Sequence, residues 1–366
     1  MTFGTRPEAI KLAPVIKVLK TRNDLDVKIC VTGQHRQMLD QVLRLFDISP
    51  DFDLCLMKPN QSLTDITCAV LTGMQDILNI WRPDSVIVHG DTTSSFAASL
   101  SCFYEKLPVI HVEAGLRTGN IYSPWPEEMN RKLTAAIAFQ HFTPTENSKQ
   151  NLIREGVPED RIYVVGNTVV DAVLEVSSIL RNSKVIYAEM VSRFSFIDPT
   201  KRMILVTGHR RESYGEGFEQ LCLALSELAK HEDVVIVYPV HLNPNVRSVV
   251  LERLSGLPRI HLLESVDYLP FVYLLEAAYF IITDSGGIQE EALSLGTPVL
   301  ITRDTTERPE AIAAGGAKLV GANAKKIVAE AKLLLEDPIA YEAMSNAVNP
   351  FGDGRAAIRI VNAILK

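Results

Sequence analysis

Continuous apolar runs punctuate the chain at residues 27–32, 85–89, 109–113, 162–165, 203–207, 234–238, 260–263, 280–283 and 298–301, with stretches of helical periodicity between them. Runs that are apolar on both faces suit parallel strands covered by helices on each side. The alternation predicts an α/β fold, doubly wound and built twice, as two Rossmann-like domains facing across a cleft. The seam is expected after Gly166-Asn167, giving an N-terminal domain over residues 1–167 and a C-terminal one over 168–353. There a helix-like stretch (168–180) leads into a more polar segment (181–202), and the second unit starts at Met203. The last segment, 354–366, reads as a helix of alternating basic and apolar residues, able to pack on either domain. At the other end, only Met1 to Phe3 precede a turn and a helix over residues 9–20, so a few residues of the first strand are expected to be missing.

Residues 280–301, FIITDSGGIQEEALSLGTPVLI, read as strand, tight glycine turn, helix, strand. Gly286 and Gly287 let a ligand approach the backbone closely, and the unpaired N–H groups of a helix start, with the Ser285 hydroxyl, suit a phosphate or pyrophosphate. Glu291 follows about one helical turn later, where a carboxylate can accept both hydroxyls of a ribose. This is the pattern of a nucleotide-diphosphate cradle. An ordinary glycine-rich turn with surface glutamates is the alternative.

A chain of 366 residues exceeds what one core usually holds, which agrees with two domains. Hydrophobic residues at 47% and charged residues at 22% describe an ordinary globular protein. The net charge of -7 argues against nucleic acid or an anionic membrane as partner. An anionic ligand must therefore be held by local groups. The five cysteines, Cys30, Cys55, Cys68, Cys102 and Cys222, mostly sit in apolar runs, show no Cys-x-x-Cys spacing and fit reduced, buried thiols. With no apolar run as long as a membrane span and no signal-peptide pattern, a cytoplasmic protein is expected.

Two successive strands end in His-x-acid: SVIVHGD, with His89 and Asp91, and PVIHVE, with His111 and Glu113. Strand side chains alternate, so each pair tends to one side at the carboxyl end of the sheet, where open α/β sheets keep their sites. SPWPEEMNR adds Glu127 and Glu128 at a helix entry, the first turn adds Arg6 and Lys11, and TGHRRE adds His209 at another strand exit. The His-x-acid pairs also suit a divalent metal, and each histidine alone suits simple packing. No G-x-G-x-x-G follows a strand, no Walker-type loop occurs, and no nucleophile elbow is evident, so neither NAD chemistry nor P-loop phosphoryl transfer is indicated.

The motifs FGTRPEAIKLAP, TGQHRQMLDQVL, VHGDTTSS, HVEAGLRTG, SPWPEEMNRK, VGNTVVD, VTGHRRES, TDSGGIQEEA and RDTTERPEA, in this order along nearly the whole chain, closely resemble the non-hydrolysing UDP-N-acetylglucosamine 2-epimerases. The resemblance implies a fold like that of GT-B glycosyltransferases, a homodimer, and interconversion of UDP-GlcNAc and UDP-ManNAc without NAD or metal. By matching motif, Arg6, Lys11, Ser285, Gly286, Gly287, Glu291 and Arg308 would hold the UDP, with Phe271 near the uracil. Asp91, Glu113, Glu127 and His209 would form the catalytic group. Gln34, His35 and Gln37 match a Gln-His-x-Gln run through which some relatives bind a second, regulatory UDP-GlcNAc, although Asn60 stands where an arginine is expected. Ser213-Tyr214 also departs from the family pattern, beside His209. The rival readings are a GT-B glycosyltransferase, an epimerase for a diacetamido or uronate relative of UDP-GlcNAc, and a UDP-sugar sensor without catalysis.

Overall fold

The computed structural model describes residues 1–33, 36–58, 61–208, 210 and 214–366, with the side chains of residues 36 and 37 left aside. Gln34, His35, Asn60, His209 and Ser213 lie outside the described residues, as does the side chain of Gln37. The chain forms two compact units, the first made of residues 1–172 and 351–366, the second of residues 173–350.

Unit 1 contains β1 (Thr2–Phe3), β2 (Cys30–Val31), β3 (Phe52–Asp53), β4 (Val86–His89), β5 (Val109–Val112), β6 (Gln140–Thr143) and β7 (Ile162–Val164). All pairings are parallel, in one sheet ordered β1-β2-β3 and another ordered β4-β5-β6-β7, with β1 lying against β4. The chain thus winds one way from β1 and the other way from β4, and the point of reversal lies between those two strands. Val86, Val88 and Val109 pack with Val70, Met74, Ala97 and Cys102 of the covering helices in a buried cluster. The terminal helix Ala356–Ile364 packs on the first helix, Arg6–Lys20. Its exposed N–H groups are taken up by Asp171, which accepts from Ala357 N at 2.9 Å and from Ala356 N at 3.2 Å.

Unit 2 contains β8 (Arg202–Thr207), β9 (Val234–Pro239), β10 (Ile260–Leu263), β11 (Phe280–Thr283), β12 (Val299–Ile301) and β13 (Ala317–Leu319). They form one parallel sheet ordered β10-β9-β8-β11-β12-β13, so the reversal lies between β8 and β11. Ile204, Val206, Ile236, Tyr238 and Ile282 line a core closed by Phe218, Leu221, Leu225 and Leu334. Each such side chain contributes about 1.5–3 kcal/mol by leaving water.

Three strands escape the apolar-run pattern. β3 has two residues, β6 reads Gln-His-Phe-Thr with His141 and Thr143 buried, and β13 is an edge strand carrying Lys318. The more polar segment after residue 180 continues the helix Thr168–Asn182 and forms a second one, Lys184–Arg193. Of the thiols expected to be buried, Cys30, Cys102 and Cys222 are buried, whereas Cys55 and Cys68 are exposed. Among the described residues no helix is long and apolar enough to cross a membrane.

Candidate active site

The carboxyl ends of β4 and β5 gather the charged side chains of unit 1. Glu113 follows β5 in the left-handed region, with φ of 61°, a conformation costing a non-glycine residue roughly 1–2 kcal/mol and often found at functional sites. Its side chain is held from three elements. Lys11 Nζ, from the first helix, donates to Oε1 at 2.5 Å and to Oε2 at 2.7 Å, and Asn167 Nδ2 donates to Oε1 at 3.0 Å. His89 Nε2, at the end of β4, lies 3.2 Å from Oε2, at ion-pair distance but outside hydrogen-bond geometry.

Asp91 follows β4 by two residues and is fixed from the helix Glu127–Ile137. Arg131 reaches its Oδ2 with Nε at 2.8 Å and Nη2 at 2.6 Å, and Asn130 Nδ2 donates to the Asp91 carbonyl at 3.0 Å. Asp91 Oδ1 takes no hydrogen bond among the described residues, and the side chain is 27% exposed. Arg131 also meets Glu128 at 3.2 Å, and Glu128, fully buried, accepts the backbone N–H groups of Thr118 and Gly119. The two glutamates of this helix therefore differ in role: Glu128 braces the preceding loop, and Glu127 is half-buried with no hydrogen bond among the described residues.

The histidines of β4, β5 and β6 are buried and neutral near pH 7. Burial pushes His89 and His111 down to about 4 and His141 to about 3. His111 Nε2 sits 2.7 Å from the Gly90 carbonyl, so in the neutral ring that nitrogen carries the proton. His111 thus faces the Gly90 backbone, while His89 of one His-x-acid pair faces Glu113 of the other. Among the described residues no group of three or more His, Cys, Asp or Glu side chains is placed to hold a metal ion.

In unit 2 the helix Gly286–Ser294 begins with the two glycines as its first residues, where the sequence pattern placed them in a turn ahead of it. They face different surroundings. A Cβ on Gly286 would stand 2.5 Å from Arg308 Nη1, whereas one on Gly287 would meet nothing within 4 Å among the described residues. Ser285 is the N-cap, yet its hydroxyl makes no capping bond, and its N–H is turned to Thr283 Oγ1 at 2.9 Å. Arg308 Nε donates to Glu290 at 2.6 Å. Burial alone would raise Glu307, but Arg308 and Arg303 draw it down to about 2. Glu291 accepts from the Tyr268 hydroxyl at 2.8 Å, and Phe271 is buried on the same helix as Tyr268.

Of the expected site residues, Arg6, Lys11, Asp91, Glu113 and Glu127 belong to unit 1, and Phe271, Ser285, Gly286, Gly287, Glu291 and Arg308 to unit 2. Lys11, expected at the UDP, is bonded to Glu113. Sequence reasoning did not single out Arg131, Asn167, Tyr268 or Glu290. Arg131 follows Glu128 at helical i, i+3 spacing inside SPWPEEMNRK, a signal that was there to use. The partners of the other three are distant in sequence.

Two doubly wound units, one with ion-paired carboxylates at its strand ends and one with a glycine-led helix start, fit the class of enzymes acting on nucleotide-linked substrates. The family model described as UDP-N-acetylglucosamine 2-epimerase matches residues 17–365, and the chain belongs to that family. It is 57% identical to the UDP-N-acetylglucosamine 2-epimerase of Yersinia pestis, over 99% of this chain and 96% of that protein. The corresponding protein of Escherichia coli K12 is 56% identical over the same shares. The crystal structure of the Neisseria meningitidis UDP-GlcNAc 2-epimerase bound to UDP-GlcNAc superposes with a TM-score of 0.96 at 52% identity, covering 100% of this chain and 98% of that one.

Proposed function

We propose that the protein interconverts UDP-GlcNAc and UDP-ManNAc by inverting C2 of the sugar. The observation that carries this reading is the pair of strand-end carboxylates in unit 1, Asp91 and Glu113, each anchored by a cation. The C2 hydrogen is not next to a carbonyl, so direct deprotonation is too slow. Breaking the C1–O bond leaves positive charge at C1, and the C2 proton then passes to a carboxylate as the C–H electrons form the C1–C2 double bond. The products are UDP and 2-acetamidoglucal. Delivery of a proton to the opposite face of C2, with the UDP oxygen returning to C1, gives the epimer. Nothing is oxidised, and neither NAD nor metal enters the balance.

Asp91 is the proposed base: Arg131 holds one oxygen and leaves Oδ1 for the proton. Glu113, with both oxygens bonded, orients the sugar, while Glu127 and His209 are candidates to donate the second proton. The leaving diphosphate is assigned to Ser285, Gly286, Gly287, Arg308 and Arg6. The open side of Gly287 and the unused capping capacity of Ser285 support that assignment. Glu291, steadied by Tyr268, would take the ribose, and Phe271 would lie at the uracil. A homodimer is part of the same proposal, checked by light scattering.

Proton NMR of the protein with UDP-GlcNAc in D2O, with no acceptor, metal or NAD, tests the reaction. UDP-ManNAc carrying deuterium at C2 is the expected product. An unchanged sugar would refute the reading, and free ManNAc with UDP would make the enzyme a hydrolysing one.

A further inference from the structure

Asn167 is 2% exposed and uses its polar groups on three elements. Its backbone N–H donates to the Phe351 carbonyl at 2.6 Å, its Oδ1 accepts the Val169 N–H at 3.2 Å as cap of the helix Thr168–Asn182, and its Nδ2 donates to Glu113 Oε1 at 3.0 Å. The cap fixes the amide: with Oδ1 committed to a backbone N–H, the group facing Glu113 must be the donor NH2. The chain leaves unit 1 along this helix, after Ala172, and returns to it at Phe351. The leaving and returning segments touch at Asn167 and at Gly166, where a Cβ would lie 3.1 Å from the Phe351 carbonyl oxygen and 3.3 Å from Gly352 Cα.

We propose that Asn167 is a positioning residue, which ties the Glu113 carboxylate to the two segments connecting the units and so holds it in the orientation turnover requires. The proposal rests on the reading of Glu113 as part of the catalytic group. Glu113 sits in a left-handed backbone conformation that its neighbours must maintain, and Asn167 is the neighbour that belongs to the connecting segments. Lys11 supplies charge to the same carboxylate and reaches both its oxygens, so it leaves rotation about the carboxyl axis less defined. The amide donates to Oε1 and so distinguishes one oxygen from the other.

Two variants separate this role from capping. Asn167→Asp keeps the shape and a good capping oxygen but turns the donor facing Glu113 into an acceptor. Asn167→Ser keeps a capping hydroxyl, carries no charge, and is too short to reach Glu113. Both are expected to lower kcat for epimerisation and for C2 deuterium exchange by roughly tenfold or more, with KM and UDP affinity within about threefold of the wild type. Tm is expected to stay within about 4 °C of the wild type in Asn167→Ser and to fall in Asn167→Asp, which sets a second carboxylate beside buried Glu113. Rescue is expected from neither. Wild-type kcat in either variant would overturn the proposal, and so would a kcat loss in Asn167→Ser matched by equal loss of UDP affinity or of folding. Full activity in Glu113→Gln would instead overturn the reading of Glu113 on which the proposal stands, a failure distinct from wild-type kcat in the Asn167 variants beside an inactive Glu113→Gln.

Discussion

Lys11 and Glu113 are 102 residues apart in the chain, and their side chains meet at 2.5 Å with 11% and 6% of their surface exposed. A pair this buried matters less for what it adds than for what breaking it leaves behind, an uncompensated charge in a low-dielectric site. Lys11→Met is expected to destabilise unit 1 by about 3–5 kcal/mol, and the double variant Lys11→Met/Glu113→Gln to recover most of that. Urea unfolding followed by tryptophan fluorescence reads this directly, since both tryptophans, Trp81 and Trp125, belong to unit 1. Equal loss in the single and double variants would show that the pair is not the cause.

The three histidines predict acid lability of the same unit. Their folded pKa values, about 4 for His89 and His111 and about 3 for His141, lie below the unfolded value near 6.5. Between those limits the unfolded chain binds more protons, so stability is fully present above pH 6.5 and falls as pH drops toward 4. Each histidine contributes a slope of up to about 1.4 kcal/mol per pH unit. The tryptophan-detected urea midpoint should be clearly lower at pH 5 than at pH 7. An unchanged midpoint would mean that these rings are not buried and neutral.

The alternation of apolar runs was enough to read the doubly wound architecture, because β8, β9, β11 and β12 are buried almost throughout and the edge strand β10 is apolar but for His261. It failed at β6, where His141 and Thr143 are buried polar side chains that look exposed to a pattern of polarity. It also gave no means of locating the unit boundary to the residue, because the chain passes from one unit to the other within the unbroken helix Thr168–Asn182. At the site, residue types at strand ends were legible, but their pairings were not. Nothing local joins Lys11 to Glu113 or Arg131 to Asp91; the winding of the sheet brings them together.

Asp91 is held from one side by Arg131 and presents Oδ1 on the other. Asp91→Asn keeps the size and an oxygen for Arg131 but cannot accept the C2 proton. The expected result is a fall in kcat of roughly 10²–10⁴-fold, with UDP affinity retained by calorimetry. C2 deuterium exchange should fall with it. An Asp91→Asn enzyme that still exchanges deuterium at C2 would remove Asp91 as the base and move that role to Glu127.

Gly287 separates ligand binding from folding. A methyl group there meets nothing within 4 Å among the described residues, and alanine inside a helix is favoured over glycine by about 0.5–1 kcal/mol, so Gly287→Ala should leave the protein as stable or slightly more so. The same methyl would occupy the space through which a diphosphate approaches the helix N–H groups, so UDP affinity should weaken by roughly tenfold, about 1.4 kcal/mol. Gly286→Ala provides the contrast, since its methyl would press on the Arg308 guanidinium and disturb the Arg308 to Glu290 pair, costing stability as well as affinity. Calorimetric UDP titration beside thermal unfolding distinguishes the two. Unchanged UDP binding in Gly287→Ala would place the diphosphate elsewhere than at this helix start.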